Sequence, residues 1–259
     1  MLIDAHAHLD HYQEPLAAAL EEIGHYPVFT ISNSMDVASY RRNLEIADRC
    51  EWVLPTFGVH PWNAAEYSGR LDELSPWIAD SLLLGEIGLD FHWIEDADLY
   101  PAQRQVFAFF LEWAQRQEKI VNLHTKGAEA ETLAWLERYH IQRAIVHWYS
   151  GPLDIFREMV RRGYLFTVGV EISYSTHIQS LVRELPMSQL LTETDNPGGL
   201  EWLTGTIGMP HHLEDIVPVI ADLKRTTPEA VREDVRQNFL RLIEQDRHVP
   251  ERYRTLLTG

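Results

Sequence analysis

Leu2-Ile3-Asp4-Ala5-His6-Ala7-His8-Leu9-Asp10 opens the chain. Leu2–Ala5 reads as a short buried strand. Side chains alternate with a period of two along a strand, so His6 and His8 leave the same side of it. Two imidazoles converging at a strand end pack poorly and chelate well, because neutral ring nitrogens are the commonest side-chain metal donors. A His-x-His pair alone specifies little. Its meaning depends on what stands at the ends of the later strands.

Further strands are predicted near Val28–Ser32, Val53–Val59, Leu82–Ile87, Ile120–His124, Arg143–His147, Tyr164–Val168 and Gln189–Thr192. They are short and continuously apolar, the pattern of a parallel sheet covered on both faces. Amphipathic stretches lie between them. Val106, Phe109, Phe110 and Trp113 fall at i, i+3, i+4 and i+7, which predicts a helix over Pro101–Gln117 with one buried stripe. Asp36–Arg49, Gly127–Arg138 and Pro152–Arg162 are further helix candidates. Val231, Val235, Phe239 and Leu242 mark a last helix that opens on Thr227 and Pro228, a cap residue followed by proline in the first turn. Eight strand–helix units in 259 residues predict a (β/α)8 TIM-type barrel forming a single domain, 1–259. A doubly wound open sheet is the second choice. No Gly-x-Gly-x-x-Gly follows the first strand to support a dinucleotide fold. Asn196–Pro210, with its Pro-Gly-Gly, reads as the most loop-like segment.

Composition is that of a globular protein, with 45% hydrophobic and 24% charged residues. The formal charge of −17 opposes tight non-specific binding to nucleic acid, which draws on Lys and Arg. Bound cations could reverse that sign locally. A single cysteine, Cys50, excludes an internal disulfide and fits a reducing compartment. With no signal-peptide pattern and no membrane-length apolar run, a cytoplasmic location away from membranes is expected.

Chemistry-bearing residues recur at the expected C-terminal ends of the strands. His6 and His8 follow the first, His60 the third and Glu86 the fourth. His124 ends the fifth, His147 the sixth, and Asp195 follows the eighth. A closed parallel barrel gathers these ends on one face, where active sites lie. Histidines and carboxylates in this number exceed the needs of one tetrahedral ion and suit two divalent ions roughly 3.5–4 Å apart. Glu86 has two oxygens and could bridge them. Asp195 could orient a water activated by the two metals or accept its proton. Glu86 and Asp195 are thus the candidate catalytic groups. Trp62, Trp93 and Trp148 stand beside the site as lids, core or stacking surfaces. The remaining histidines, among them His11, His25, His92 and His211, read as surface or packing residues.

With these residues in view, the chain resembles the TatD-type metal-dependent hydrolases of the amidohydrolase-like superfamily. Ile3–Asp10 matches the opening motif and Gly58–Trp62 the Gly-x-His-Pro turn. Gly85–Asp90 matches Gly-Glu-x-Gly-Leu-Asp, and His147–Gly151 matches His-x-Phe-Ser-Gly. Glu193–Pro197 matches Glu-Thr-Asp-x-Pro, and Asn238–Leu242 is similar to the C-terminal signature. The resemblance implies metal-dependent cleavage of DNA phosphodiesters with magnesium, manganese or zinc. It implies one ion on His6, His8 and Asp195 with Glu86, and a second on His124 and His147 sharing Glu86. The departures lie on the substrate side. Thr125-Lys126-Gly127 stands where the family shows Ser or Cys, Arg and an acid, and Gly205–Pro210 lacks the family's basic residues. The resulting expectation is a hydrolase with DNA as substrate and with His60, Lys126 and Ser150 as substrate contacts. The alternatives are a small-molecule amide, lactone or phosphoester hydrolase, or a metal-bearing subunit of a larger complex with a protein partner.

Overall fold

The computed structural model describes residues 1–244 and 246–259. Among the described residues eight strands run in chain order: β1 Leu2–Ala7, β2 Val28–Ser32, β3 Val53–Pro55, β4 Leu84–Gly88, β5 Val121–His124, β6 Ala144–Val146, β7 Leu165–Val168 and β8 Leu190–Thr192. Every pairing is parallel, in two arcs ordered β1-β2-β3 and β4-β5-β6-β7-β8. The arcs meet at two seams. At one, Phe57 bridges to Leu84, and Gly85 N–H donates to Phe57 O at 2.9 Å. At the other, Thr194 N–H donates to the Asp4 carboxylate at 2.9 Å and Asp195 N–H to His6 O at 2.9 Å. A doubly wound sheet would break the sequential strand order, and none of the described pairings does so. The arrangement is consistent with the eight-stranded barrel.

Helices cover the outside. Val37–Ala47 packs on β3, Tyr100–Gln117 on β4, and Pro228–Ile243 on β8 and β1. Local sequence sets their limits. Asp36 caps the first of these, its carboxylate accepting from Ser39 N–H at 2.8 Å. Thr227 caps the last by accepting from Ala230 N–H at 3.2 Å, with Pro228 in the first turn, as the sequence predicts. Phe29, Phe239 and Tyr253 meet with ring centroids 5.2 and 5.6 Å apart, all buried. Each such side chain contributes about 1.5–3 kcal/mol by leaving water.

Most boundaries shift by one or two residues from the sequence expectation, and three differences bear on the site. β1 runs two residues further, so His6 lies within it. β3 stops at Pro55 instead of Val59; beyond it Thr56 N–H still donates to Ser32 O at 3.0 Å, and the chain turns to bridge β4 through Phe57. Asn196–Pro210 contains a helix, Gly198–Thr204. Its residues Leu200-Glu201-Trp202-Leu203 tolerate the helical backbone, and Gly199 N–H starts it on Asp195 O at 2.7 Å. Two glycines permit close approach around β4. A side chain at Gly58 would lie 2.3 Å from Glu86 O. One at Gly88, whose φ is +150°, would lie 1.9 Å from His124 O. No helix among the described residues is long and apolar enough to cross a membrane.

Candidate metal centre

Parallel strands deliver their C-terminal ends to one place, and six side chains meet there. His6, Glu86, His124 and His147 are buried, His8 is 8% exposed, and Asp195 keeps one edge toward solvent. Glu86 lies at the middle. Its Oε2 is 3.4 Å from His6 Nε2 and 3.2 Å from His8 Nε2. Its Oε1 is 2.8 Å from His124 Nδ1 and 3.5 Å from His147 Nε2. Asp195 Oδ1 stands 3.6 Å from His6 Nε2 and 3.5 Å from His8 Nε2. Its backbone is left-handed, with φ of +52°.

The far side of each histidine ring is committed to a fixed acceptor. His6 Nδ1–H donates to Asn122 Oδ1 at 3.0 Å, and Asn122 is itself oriented by donating to Ala5 O at 2.9 Å. His8 Nδ1–H donates to Asn33 O at 3.1 Å. His124 Nε2–H donates to Asp90 at 3.0 Å, and His147 Nδ1–H to Glu193 at 2.8 Å. Such partners select the tautomer and leave the other nitrogen unprotonated toward the centre. His6 Nε2 and His8 Nε2 then face each other at 3.3 Å. Two lone pairs at that distance call for a cation or a proton between them, so the donor set fits divalent ions. Groups of ligand atoms close enough to share an ion include His6–His8–Asp195, His6–Glu86–His147 and His60–Glu86–His124.

Protonation in the metal-free chain follows from the same geometry. Burial lowers the His6 pKa, but the charges of Glu86, Asp195 and Glu193 outweigh it and push it up to about 9. Burial would raise Glu86, yet the surrounding histidines hold it well below the ordinary carboxylate range. Burial pushes Glu193 up to about 7, against the lowering influence of His6. The proton at the centre therefore sits on His6, beside an ionised Glu86, where a cation could sit, and loading a metal must release it.

His60 joins the cluster from outside β3, with Nε2 3.2 Å from His124 Nδ1 and 3.6 Å from Glu86. Its chemistry is the reverse of the others. Its Nδ1 accepts from Trp62 N–H at 3.3 Å, so its proton sits on Nε2 and points inward. That makes it a donor to the centre rather than a ligand. Lys126 and Ser150 lie together at the rim. Lys126 Nζ donates to Trp148 O at 2.6 Å and to Ser150 Oγ at 2.9 Å. Asp90, Glu193, Asn122 and Asn33 hold roles that the sequence pattern does not announce. The period-two rule does place Asn122 on the same face of β5 as His124.

Comparison with known proteins shows what the chain is similar to. A family profile described as TatD related DNase matches residues 3–244. The human protein named Deoxyribonuclease TATDN3 is 29% identical, over 96% of this chain and 96% of its own length. A Bacillus subtilis protein named as the uncharacterized metal-dependent hydrolase YabD is 25% identical over 93% of this chain and 98% of its own. The crystal structure of YjjV, a TatD homolog from Escherichia coli K12, superposes with a TM-score of 0.86 at 24% identity. It covers 96% of this chain and 98% of that one, a likeness of fold.

Proposed function

This chain belongs to the TatD related DNase family, and from that premise we propose that it is a divalent-metal-dependent hydrolase that cleaves DNA phosphodiesters at the mouth of its strand ring. The observation that carries the reading is the division of Glu86, one oxygen toward His6 and His8, the other toward His124 and His147. That division suits two ions: one on His6, His8 and Asp195, one on His124 and His147, with Glu86 common to both. An imidazole-rich set favours manganese or zinc over magnesium, although magnesium can serve such hydrolases. Bound there, the ions would polarise a phosphoryl oxygen and lower the pKa of water.

The protein's own groups do the rest. Asp195, the ligand carboxylate with an exposed edge, accepts the proton of the attacking water. His60 presents Nε2–H to a phosphate oxygen. Lys126 has one N–H left after its bonds to Trp148 and Ser150, and directs it at the same group. Residues 1–259 act as one unit in a reducing, cytoplasmic setting, a reading supported by the continuous core and the lone half-buried cysteine. A small phosphoester is the second candidate substrate, favoured by the uncharged Gly205–Pro210 segment. The test is incubation with Mn²⁺ or Mg²⁺ and end-labelled single-stranded DNA, beside a panel of phosphoesters, lactones and amides. Release of labelled fragments, abolished by Glu86→Ala, is expected. Turnover of the panel but not of DNA would remove the nuclease reading.

A further inference from the structure

The loops that carry the site have an unusual chemistry for a nucleic-acid enzyme. Between each strand's end and the next α-helix, Lys126 is the only lysine or arginine. Glu95, Asp96, Asp98, Glu171 and Glu201 stand on the same loops or on the short helix that follows Asp195. This rim cannot hold a run of backbone phosphates. It does present tryptophan. Trp62, Trp93 and Trp202 are 51%, 48% and 62% exposed, and all three lie on this face.

Their placement is built. Trp202 meets Trp93 at 5.6 Å between centroids and 83°, and Trp148 at 6.2 Å and 76°, so three indoles form a connected edge-to-face series. The inner member, Trp148, follows His147 and donates its backbone N–H to Glu193 at 3.0 Å. Its indole N–H is held by Glu171, and Lys126 Nζ lies 5.5 Å from its ring. Asp90 supports the outer member Trp93 and, beside the series, Trp62. It accepts from Trp62 Nε1–H at 2.7 Å and from Trp93 N–H at 2.8 Å while holding His124. Exposed indoles cost free energy in water, and here they are tied to the residues that orient the ligands.

We propose that Trp93 and Trp202, with Trp62 beside His60, form a base-stacking subsite that grips unpaired bases next to the scissile phosphate. This rests on the phosphodiesterase reading and supplies what that reading lacks, a source of affinity where cations are missing. The substrate class is then a short single-stranded end, since duplex bases already stack on one another. Affinity comes from π-faces, which any base offers. Salt dependence is correspondingly shallow. One lysine contact to a single strand predicts a loss of about threefold in affinity between about 50 and 200 mM salt, against about 300-fold for a groove with six such contacts.

The experiment pairs protein and substrate changes. Wild-type, Trp93→Ala and Trp202→Ala proteins are given a single-stranded hexamer and the same hexamer made abasic beside the cleaved bond. Each tryptophan change lowers kcat/KM on the intact hexamer by about ten- to a hundredfold through KM. The abasic substrate loses the same factor on wild type, and the two losses do not multiply. Losses that multiply would overturn the proposal. Binding is read separately by tryptophan fluorescence with an uncharged, uncleavable methylphosphonate hexamer. Quenching that vanishes with the abasic version supports stacking even if no phosphodiester is ever cleaved. No quenching, or quenching unchanged in the Trp93→Leu/Trp202→Leu double variant, overturns it.

Discussion

Asp90→Asn should uncouple the two halves of the centre. The Asp90 carboxylate accepts from His124 Nε2–H at 3.0 Å, Trp62 Nε1–H at 2.7 Å, and the backbone N–H groups of His92 and Trp93 at 2.9 and 2.8 Å. Gln103 fixes its backbone from both sides, donating to Asp90 O at 3.0 Å and accepting from Asp90 N–H at 2.8 Å. An amide keeps one acceptor oxygen, which the two backbone donors would claim. Its NH2 group would then face two other donors, and His124 would lose the partner that holds its proton on Nε2. The other tautomer puts a proton on Nδ1, the nitrogen that faces Glu86, and removes a ligand. Loss of such a partner costs about 10- to 100-fold in metal affinity, or about 1.4–2.7 kcal/mol. The opposite half, built on Asn122 and Asn33, is untouched. Titration of the metal-free protein with Mn²⁺ or Zn²⁺, followed by calorimetry, should therefore show one of two binding events weakened by that factor and the other unchanged. Equal weakening of both events, or of neither, would refute the assignment of separate orienting partners.

Other changes give further checks. Glu86→Gln should remove the shared carboxylate, drop bound metal below two per chain, and lower kcat at least a thousandfold, as read by elemental analysis and turnover. In metal-free protein the stability contributed by His6 protonation should be complete below about pH 6.5 and lost as pH rises through about 9, by at most about 3 kcal/mol. Urea unfolding at several pH values in chelator should show that decline, and saturating metal should abolish it. Far from the site, the buried Lys119 donates to the carbonyls of Ile78, Ala79 and Ser81 that end the Ser75–Asp80 helix. Lys119→Met leaves them unpaired, so unfolding should show a loss of about 2–4 kcal/mol with metal stoichiometry intact.

How much of this was visible in the chain follows from periodicities. His6 lies near the end of β1 and His8 just past it, and β5, β6 and β8 each carry a ligand-capable residue at or beyond the same end. Glu86 stands within β4, two residues before its end, so a parallel ring brings them together. The stripe of Pro228–Ile243 is equally plain, whereas in Tyr100–Gln117 the helix forms as expected but its buried face takes Phe107, Leu111 and Ala114 with Val106 and Phe110 and leaves Phe109 and Trp113 half-buried. Partners that select tautomers were harder to see. Asp90 and Glu193 fall inside the quoted motifs, yet a carboxylate near a histidine in sequence does not say which ring nitrogen it meets. Asn33 acts through its backbone carbonyl, which any residue would offer. The donor role of His60 depends on a single backbone N–H from Trp62, a turn detail beyond side-chain pattern. Trp202 was hidden because Pro-Gly-Gly suggested a loop where a helix lifts the indole beside Trp93 and Trp148.

Anomalous diffraction from crystals loaded with Mn²⁺ addresses the centre itself. Two peaks about 3.5–4 Å apart, one against His6, His8 and Asp195, the other against His124 and His147, with Glu86 between them, is the expected result. A single peak, or a pair in which Glu86 touches only one ion, would contradict it.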